Sequence, residues 1–197
     1  MVMDKKIQSE LTVLASASPR RLQILRSLGI SPRVFVPQVE EISTGKPAEI
    51  VIKNALSKAQ AAAAKFNKHL IIAADTIVVK DGQVLGKPQD EAQAGSMLAF
   101  LSGAAHEVYS SIALIDTAKG RQTADYGMTK VFFRTLSRED IAAYIATQEP
   151  LDKAGAYGIQ GLGSIFVERI EGDHGTVVGL SPFLLAQLLA RLDKKIF

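Results

Sequence analysis

Residues 14 to 25, LASASPRRLQIL, place two hydroxyls and two guanidiniums (Ser16, Ser18, Arg20, Arg21) where an apolar run passes into helical periodicity. A helix start presents free backbone N–H groups and partial positive charge, which suit a phosphate chain and disfavour arginines unless an anion offsets them. The segment reads either as a capped helix with solvated arginines or as one side of an anion site. Asp75, in AADT, closes an apolar stretch. A carboxylate there is costly to desolvate unless it binds a cation or accepts hydrogen bonds. It reads as a turn cap, a metal ligand or a general base. Glu40 and Glu41 follow a short strand. They could supply a second carboxylate to a Mg²⁺ site completed by phosphate and water, or simply be solvated.

Lysines extend this set. Lys53 and Lys58 do not share a helix face, whereas Asn54 and Lys58 do, so Lys58 is the better inward-reaching cation. Lys87, in GKP, lies after a hairpin whose proline could aim its ammonium, although a surface turn is an equal reading. DKAGAYGIQG (152–161) combines glycines that allow close backbone approach with Tyr157 and Gln160, a ring and an amide suited to reading a base. A glycine-rich structural turn is the alternative. Other chemistries lack their residues. GQVLGKP is too short for a P-loop and has proline at the Ser/Thr position. His69, His106 and His174 show no zinc spacing, and no GxSxG elbow occurs.

The elements that must position these residues follow from pattern. LTVLAS (11–16), RVFVP and HLIIAADTIVV (69–79) read as strands, the last apolar enough for mid-sheet. PRRLQILRSLGI (19–30) reads as a helix, with Ser18 and Pro19 suited to N-cap and N1 and Gly29 closing it. Further helices are expected at about 47–66, 90–101, SREDIAAYIAT with a capping-box-like Ser137 and Asp140, and SPFLLAQLLARL. A long hairpin turns at Lys119 and Gly120, LDKAGAYGIQGLGS is a structured loop, and IFVERIEG a strand. Helices interleaved with strands and hairpins predict an α/β fold on a mixed sheet.

The 197 residues fit one domain, 1–197, with 1–10 expected as a flexible extension. Hydrophobic residues make up 47% and charged ones 22%, as in ordinary globular proteins. The net charge of +3 is a small excess, and scattered lysines with 6% aromatics argue against a nucleic-acid binder. Cysteine is absent, the start is polar, and no apolar run is long enough to span a membrane, so a cytoplasmic protein is expected.

In order and spacing, LASASPRRLQIL, AADTIVV, GKP, EPLDKAGAYGIQGLGS and TVVGL resemble the Maf family of nucleoside triphosphate pyrophosphatases, sometimes called septum-formation inhibitors, from about residue 11 to 192. The resemblance implies a Maf/ITPase-like fold, a mixed twisted sheet with flanking helices and two lobes around a deep cleft, frequently dimeric. It implies hydrolysis of a nucleoside triphosphate to monophosphate and pyrophosphate with a divalent metal, Mg²⁺ or Mn²⁺. By matching positions, Ser16, Arg20 and Arg21 would line the phosphate site. Glu41, Lys58, Asp75 and Lys87 would form the catalytic cluster, with Asp75 as proton acceptor and Glu41 and Asp75 as metal ligands. AYGIQG is similar to the branch acting on dTTP and UTP, and Arg20, Thr76 and Gln160 match positions tied to that preference. The alternatives are a 7-methyl-GTP pyrophosphatase or a non-catalytic nucleotide-binding regulator of septum formation. The chain departs from the family pattern at VGLSP (178–182) and at His174 and Gly175.

Overall fold

The computed structural model describes residues 6–197. The strands are β1 (Thr12–Ala15), β2 (Arg33–Phe35), β3 (Leu70–Lys80), β4 (Gln83–Leu85), β5 (Ala105–Asp116), β6 (Arg121–Phe133) and β7 (Val167–Glu171). The helices are α1 (Pro19–Ser27), α2 (Pro47–Ala63), α3 (Glu91–Leu101), α4 (Arg138–Ala146), α5 (His174–Val178) and α6 (Pro182–Arg191). All seven strands join one mixed sheet in the order β2-β1-β3-β5-β6-β7, with β4 also on β3. The β1 pairings to β2 and β3 are parallel, and the remaining pairings are antiparallel. The expected mixed sheet with flanking helices is therefore the one observed.

Alternation along the strands divides the core. Leu70, Ile72 and Ala74 of β3 pack with Leu14, Leu25 and the α6 leucines on one face. Ile71 and Ala73 meet Ala55, Ala59 and Ala62 of α2 on the other. Small alanines let α2 lie close to the sheet, which later places its polar residues within reach of β3. Toward the far end of β3, Val78 joins a separate cluster with Leu98 and Leu101 of α3, Tyr144 of α4 and Phe166. The two ends of the sheet thus carry different cores, and the cleft lies between them.

Local details depart from expectation in three places. Ser18 is the N-cap of α1 but makes no side-chain cap bond. Its own N–H instead donates to Ser16 Oγ at 3.2 Å. His174–Val178 forms a short helix, capped by Asp173 and closed by Gly179 in the left-handed region at φ 112°. The periodic pattern missed it because five residues are too few to show a period. The first ten residues were expected to extend flexibly, yet Ile7 packs into the core and its N–H donates to the Lys195 carbonyl at 3.0 Å. Residues 1–5 lie outside the described residues.

Candidate active site

The cleft originates in an interruption of the sheet. On one edge of β3, pairing with β1 ends at Ala73, and pairing with β4 begins at Val78. Between them Asp75 and Thr76 are paired only to β5, through Ser111 and Ser110. A cavity of about 780 Å³ opens there. Because successive side chains alternate, Asp75 faces α2 and Thr76 faces α1, so adjacent residues supply opposite faces of the site.

On the α2 face, Asp75 is 4% exposed and fully engaged. Oδ1 accepts from Lys58 Nζ at 2.6 Å, and Oδ2 accepts from Asn54 Nδ2 at 3.1 Å. Lys58 Nζ also lies 2.8 Å from Glu41 Oε1, so one ammonium stands between two carboxylates. The i, i+4 spacing of Asn54 and Lys58 brings both inward, as the sequence indicated. Asn54 does more than share a face. Its Oδ1 accepts from Ile42 N at 2.9 Å and its Nδ2 donates to Ile42 O at 3.0 Å, which fixes the backbone beside Glu41. Glu40 does not line the cavity.

On the α1 face, Arg21 holds three segments together. Nε donates to the Gly179 carbonyl at 2.9 Å, and the terminal nitrogens donate to Ser16 Oγ and Thr76 Oγ1, each at 3.0 Å. Removal from water lowers its pKa, while the Asp75 charge opposes that shift. Thr76 Oγ1 also meets Ser110 Oγ at 3.0 Å. Arg21 therefore orders Ser16 and Thr76, while Arg20 reaches the cleft beside Asp152 at 3.6 Å.

The far wall comes from the turn after β4 and from 152–160. Lys87 and Gln160 are exposed and line the cavity. Gly155 N donates to Gly86 O at 3.0 Å, tying the two segments together. Gly155 has φ 69°, and a Cβ there would lie 2.9 Å from Val78, so only glycine suits this contact. Sequence reasoning passed over Asp152 and Lys153, although both open the DKAGAYGIQG motif. Lys153 Nζ donates to Asp152 Oδ1 at 2.6 Å. Partial burial raises the Asp152 pKa, but that bond and the charges of Lys153, Arg20 and Lys87 outweigh it and leave the carboxyl below its ordinary range. In all, Arg20, Arg21, Lys58, Lys87 and Lys153 face Glu41, Asp75 and Asp152 across one cavity. The excess of cations suits a polyanion.

Tyr157 differs from its expected role of reading a base. It is 5% exposed, its ring packs against Phe133, and its hydroxyl meets His106 Nε2 at 2.8 Å. Burial, helped by the Lys80 charge, lowers the His106 pKa to about 4. An unfolded histidine titrates near 6.5, so between these values the unfolded chain binds the extra proton. Stability should therefore fall as pH drops below about 6.5, by about 2 kcal/mol on going from pH 7 to pH 5. Urea denaturation at the two pH values checks this, and His106→Gln should remove most of the pH dependence.

The two departures from the family pattern meet in space. A Cβ on Gly175 would lie 2.7 Å from Pro182 Cδ and 2.9 Å from Ser181 Cα. Gly175 thus leaves room for the Ser-Pro pair, and Ser181 caps α6 by accepting from Leu184 N at 3.1 Å.

Comparison with known proteins shows the family. The family model described as Maf-like protein matches residues 12–192. A dTTP/UTP pyrophosphatase of Bacillus cereus is 49% identical over 170 residues, covering 85% of this chain and 88% of its own. One from Dictyoglomus thermophilum is 45% identical over 183 residues, covering 91% and 95%. Among solved structures, the Ham1 protein of Staphylococcus aureus is similar over 94% of this chain and 84% of its own, at 17% identity and a TM-score of 0.47. With a family match running from β1 to the end of α6, and relatives near half identical over most of both chains, this chain belongs to the Maf family.

Proposed function

We propose that the chain hydrolyses dTTP and UTP, and modified pyrimidine triphosphates of like shape, to the monophosphate and pyrophosphate, removing them from the nucleotide pool. The observation that carries this reading is the Lys58 ammonium bridging Glu41 and Asp75 in a cleft lined by further cations. The names of the 45–49% identical relatives support the substrate class.

Phosphoryl chemistry asks for positioning and charge neutralisation. Arg20, Lys87 and Lys153 would hold the polyphosphate, with Ser16 at the helix start fixed by Arg21. Asp75 would accept the proton of the attacking water. Water oxygen then bonds to the α-phosphorus, the bond to the α–β bridging oxygen breaks, and pyrophosphate leaves with the electron pair. Lys58 would stabilise charge on either side of that transfer. Gln160 and Thr76 would contribute to base preference, along with Arg20.

The reading includes a divalent ion, for which the family resemblance is the support. Glu41 and Asp75 converge on the Lys58 ammonium, whose contacts an ion would share or displace, and no group of three His, Cys, Asp or Glu side chains able to hold a metal occurs among the described residues, so water and substrate phosphate would supply the other ligands. That donor set suits Mg²⁺ or Mn²⁺, which keep water and substrate phosphate as remaining ligands. Glu41 and Asp75 would hold the ion, and when bound it supplies charge neutralisation to the phosphate oxygens. Among the described residues no helix is long and apolar enough to cross a membrane. The reading includes a cytoplasmic homodimer, for which the family resemblance is the support.

A pyrophosphate-release screen over standard and modified nucleoside triphosphates, with and without Mg²⁺ or Mn²⁺, tests the reading. Release should be greatest with dTTP and UTP and require the metal. Preference for 7-methyl-GTP would overturn the substrate, and nucleotide binding without release would overturn the activity.

A further inference from the structure

Glu149 and Tyr144 do not line the cleft, yet they hold the loop that forms one of its walls. Tyr144, on α4, is 4% exposed and packs edge-on against Phe166 with ring centroids 5.0 Å apart. Its hydroxyl donates to Glu149 Oε1 at 2.8 Å and accepts from Gly158 N at 3.1 Å. Glu149 Oε1 also accepts from Gly163 N at 3.3 Å, and Oε2 accepts from Leu162 N at 2.9 Å. One carboxylate and one phenol thus gather backbone N–H groups from both ends of 158–163, the stretch that presents Gln160.

The loop is shaped around that pair. A Cβ on Gly163 would lie 2.6 Å from the Tyr144 hydroxyl and one on Gly161 would collide with the Glu149 carboxylate, whereas one on Gly158 would meet the Lys153 stem at 2.6 Å before Glu149 Oε1 at 3.1 Å. Partial burial raises the Glu149 pKa, but the bonds from Leu162, Tyr144 and Gly163 outweigh it and keep the group ionised. Both oxygens accept backbone N–H groups, and a glutamine offers only one such acceptor. The Asp75 cluster stands on other elements, β3 and α2.

We infer that Glu149, acting with Tyr144, is a positioning residue for nucleobase selection: it fixes the loop that presents Gln160 to the cleft, without taking part at the phosphates. The inference rests on the proposed nucleotide activity. The Glu149 side chain and the Tyr144 hydroxyl bond to the loop and to each other, whereas the contact with Lys153 of the phosphate wall is made by the Glu149 backbone carbonyl, at 2.7 Å, which both variants below retain; Tyr144→Phe also leaves the Glu149 charge near Lys153 in place.

Glu149→Gln and Tyr144→Phe, made separately in the full chain, test it by steady-state kinetics on dTTP and CTP and by amide hydrogen exchange over 158–163. The KM for dTTP should rise about tenfold and preference for dTTP over CTP fall about tenfold, with kcat within about threefold of wild type. The loop amides should exchange faster, and adding Gln160→Ala to Glu149→Gln should cost little more. Tyr144→Phe keeps the ring against Phe166, so it serves if the Glu149 variant does not fold. Unchanged KM and base preference in a folded variant, or an equal loss of kcat on every substrate, would overturn the inference. Absence of pyrophosphate release by the wild type would sink the activity instead. Binding of a non-hydrolysable dTTP analogue then decides the clamp: about tenfold weaker binding by the variants supports it, and equal or no binding by all forms overturns it.

Discussion

Asp75→Asn is expected to lower pyrophosphate release from dTTP and UTP by about a thousandfold while nucleotide binding stays measurable. The substitution is nearly isosteric at a side chain that is 6% exposed, and with its amide oxygen toward Lys58 the asparagine gives up only the 3.1 Å bond from Asn54, whose position Ile42 holds independently. What it removes is the group able to take a proton from water. Lys58 keeps its contact with Glu41 at 2.8 Å, so one cation and one carboxylate remain organised. The cationic residues of the far wall, Lys87 and Lys153, are untouched, which is why binding should persist. Turnover measured alongside calorimetric binding of a non-hydrolysable analogue separates the two effects. Release near the wild-type rate would remove Asp75 as the proton acceptor, and loss of binding with turnover would make its role one of assembling the site.

The legible part of this site follows local rules. The i, i+4 spacing of Asn54 and Lys58 puts both on one face, and the apolar run around Asp75 marks a carboxylate in need of partners. Helix and strand placement was equally accessible, since α2, β3 and the β5–β6 hairpin are long enough to show their periods. What could not be read depends on segments far apart in the chain. Arg21 bonds to Gly179, 158 residues away, so nothing near it distinguishes a clasp from a solvated arginine. Tyr157 looked like a base-reading ring because a glycine-rich loop suggests access. Its burial is set by His106, 51 residues earlier. Asn54 gripping Ile42 on both backbone groups likewise requires the loop to fold back over α2. Asp152 shows the remaining difficulty: an acidic residue beside a lysine reads as an ordinary surface pair, and only the cleft places it near Arg20.

Lys58→Met should be the most destabilising change in the cleft as well as an inactivating one. Methionine matches the lysine stem, so the aliphatic packing against α2's neighbours is largely kept and the missing element is the charge. Asp75, 4% exposed, would then keep only its 3.1 Å bond from Asn54. A buried carboxylate deprived of its partner typically costs about 3 kcal/mol, and a shift of that size is expected in urea denaturation at pH 7. Activity should fall by more than about a hundredfold, because neutralisation next to the reacting phosphates is lost with it. The decisive comparison is the double variant, Lys58→Met with Asp75→Asn. If the cost arises from the stranded charge, removing that charge restores at least half of the lost stability without restoring turnover. Additive losses would mean that Lys58 stabilises the fold through its stem, and the ion pair would then have to be explained by function alone. Recovery of stability without activity would show that the Lys58–Asp75 pair is held together for catalysis, at a place where a neutral pair would serve the fold as well.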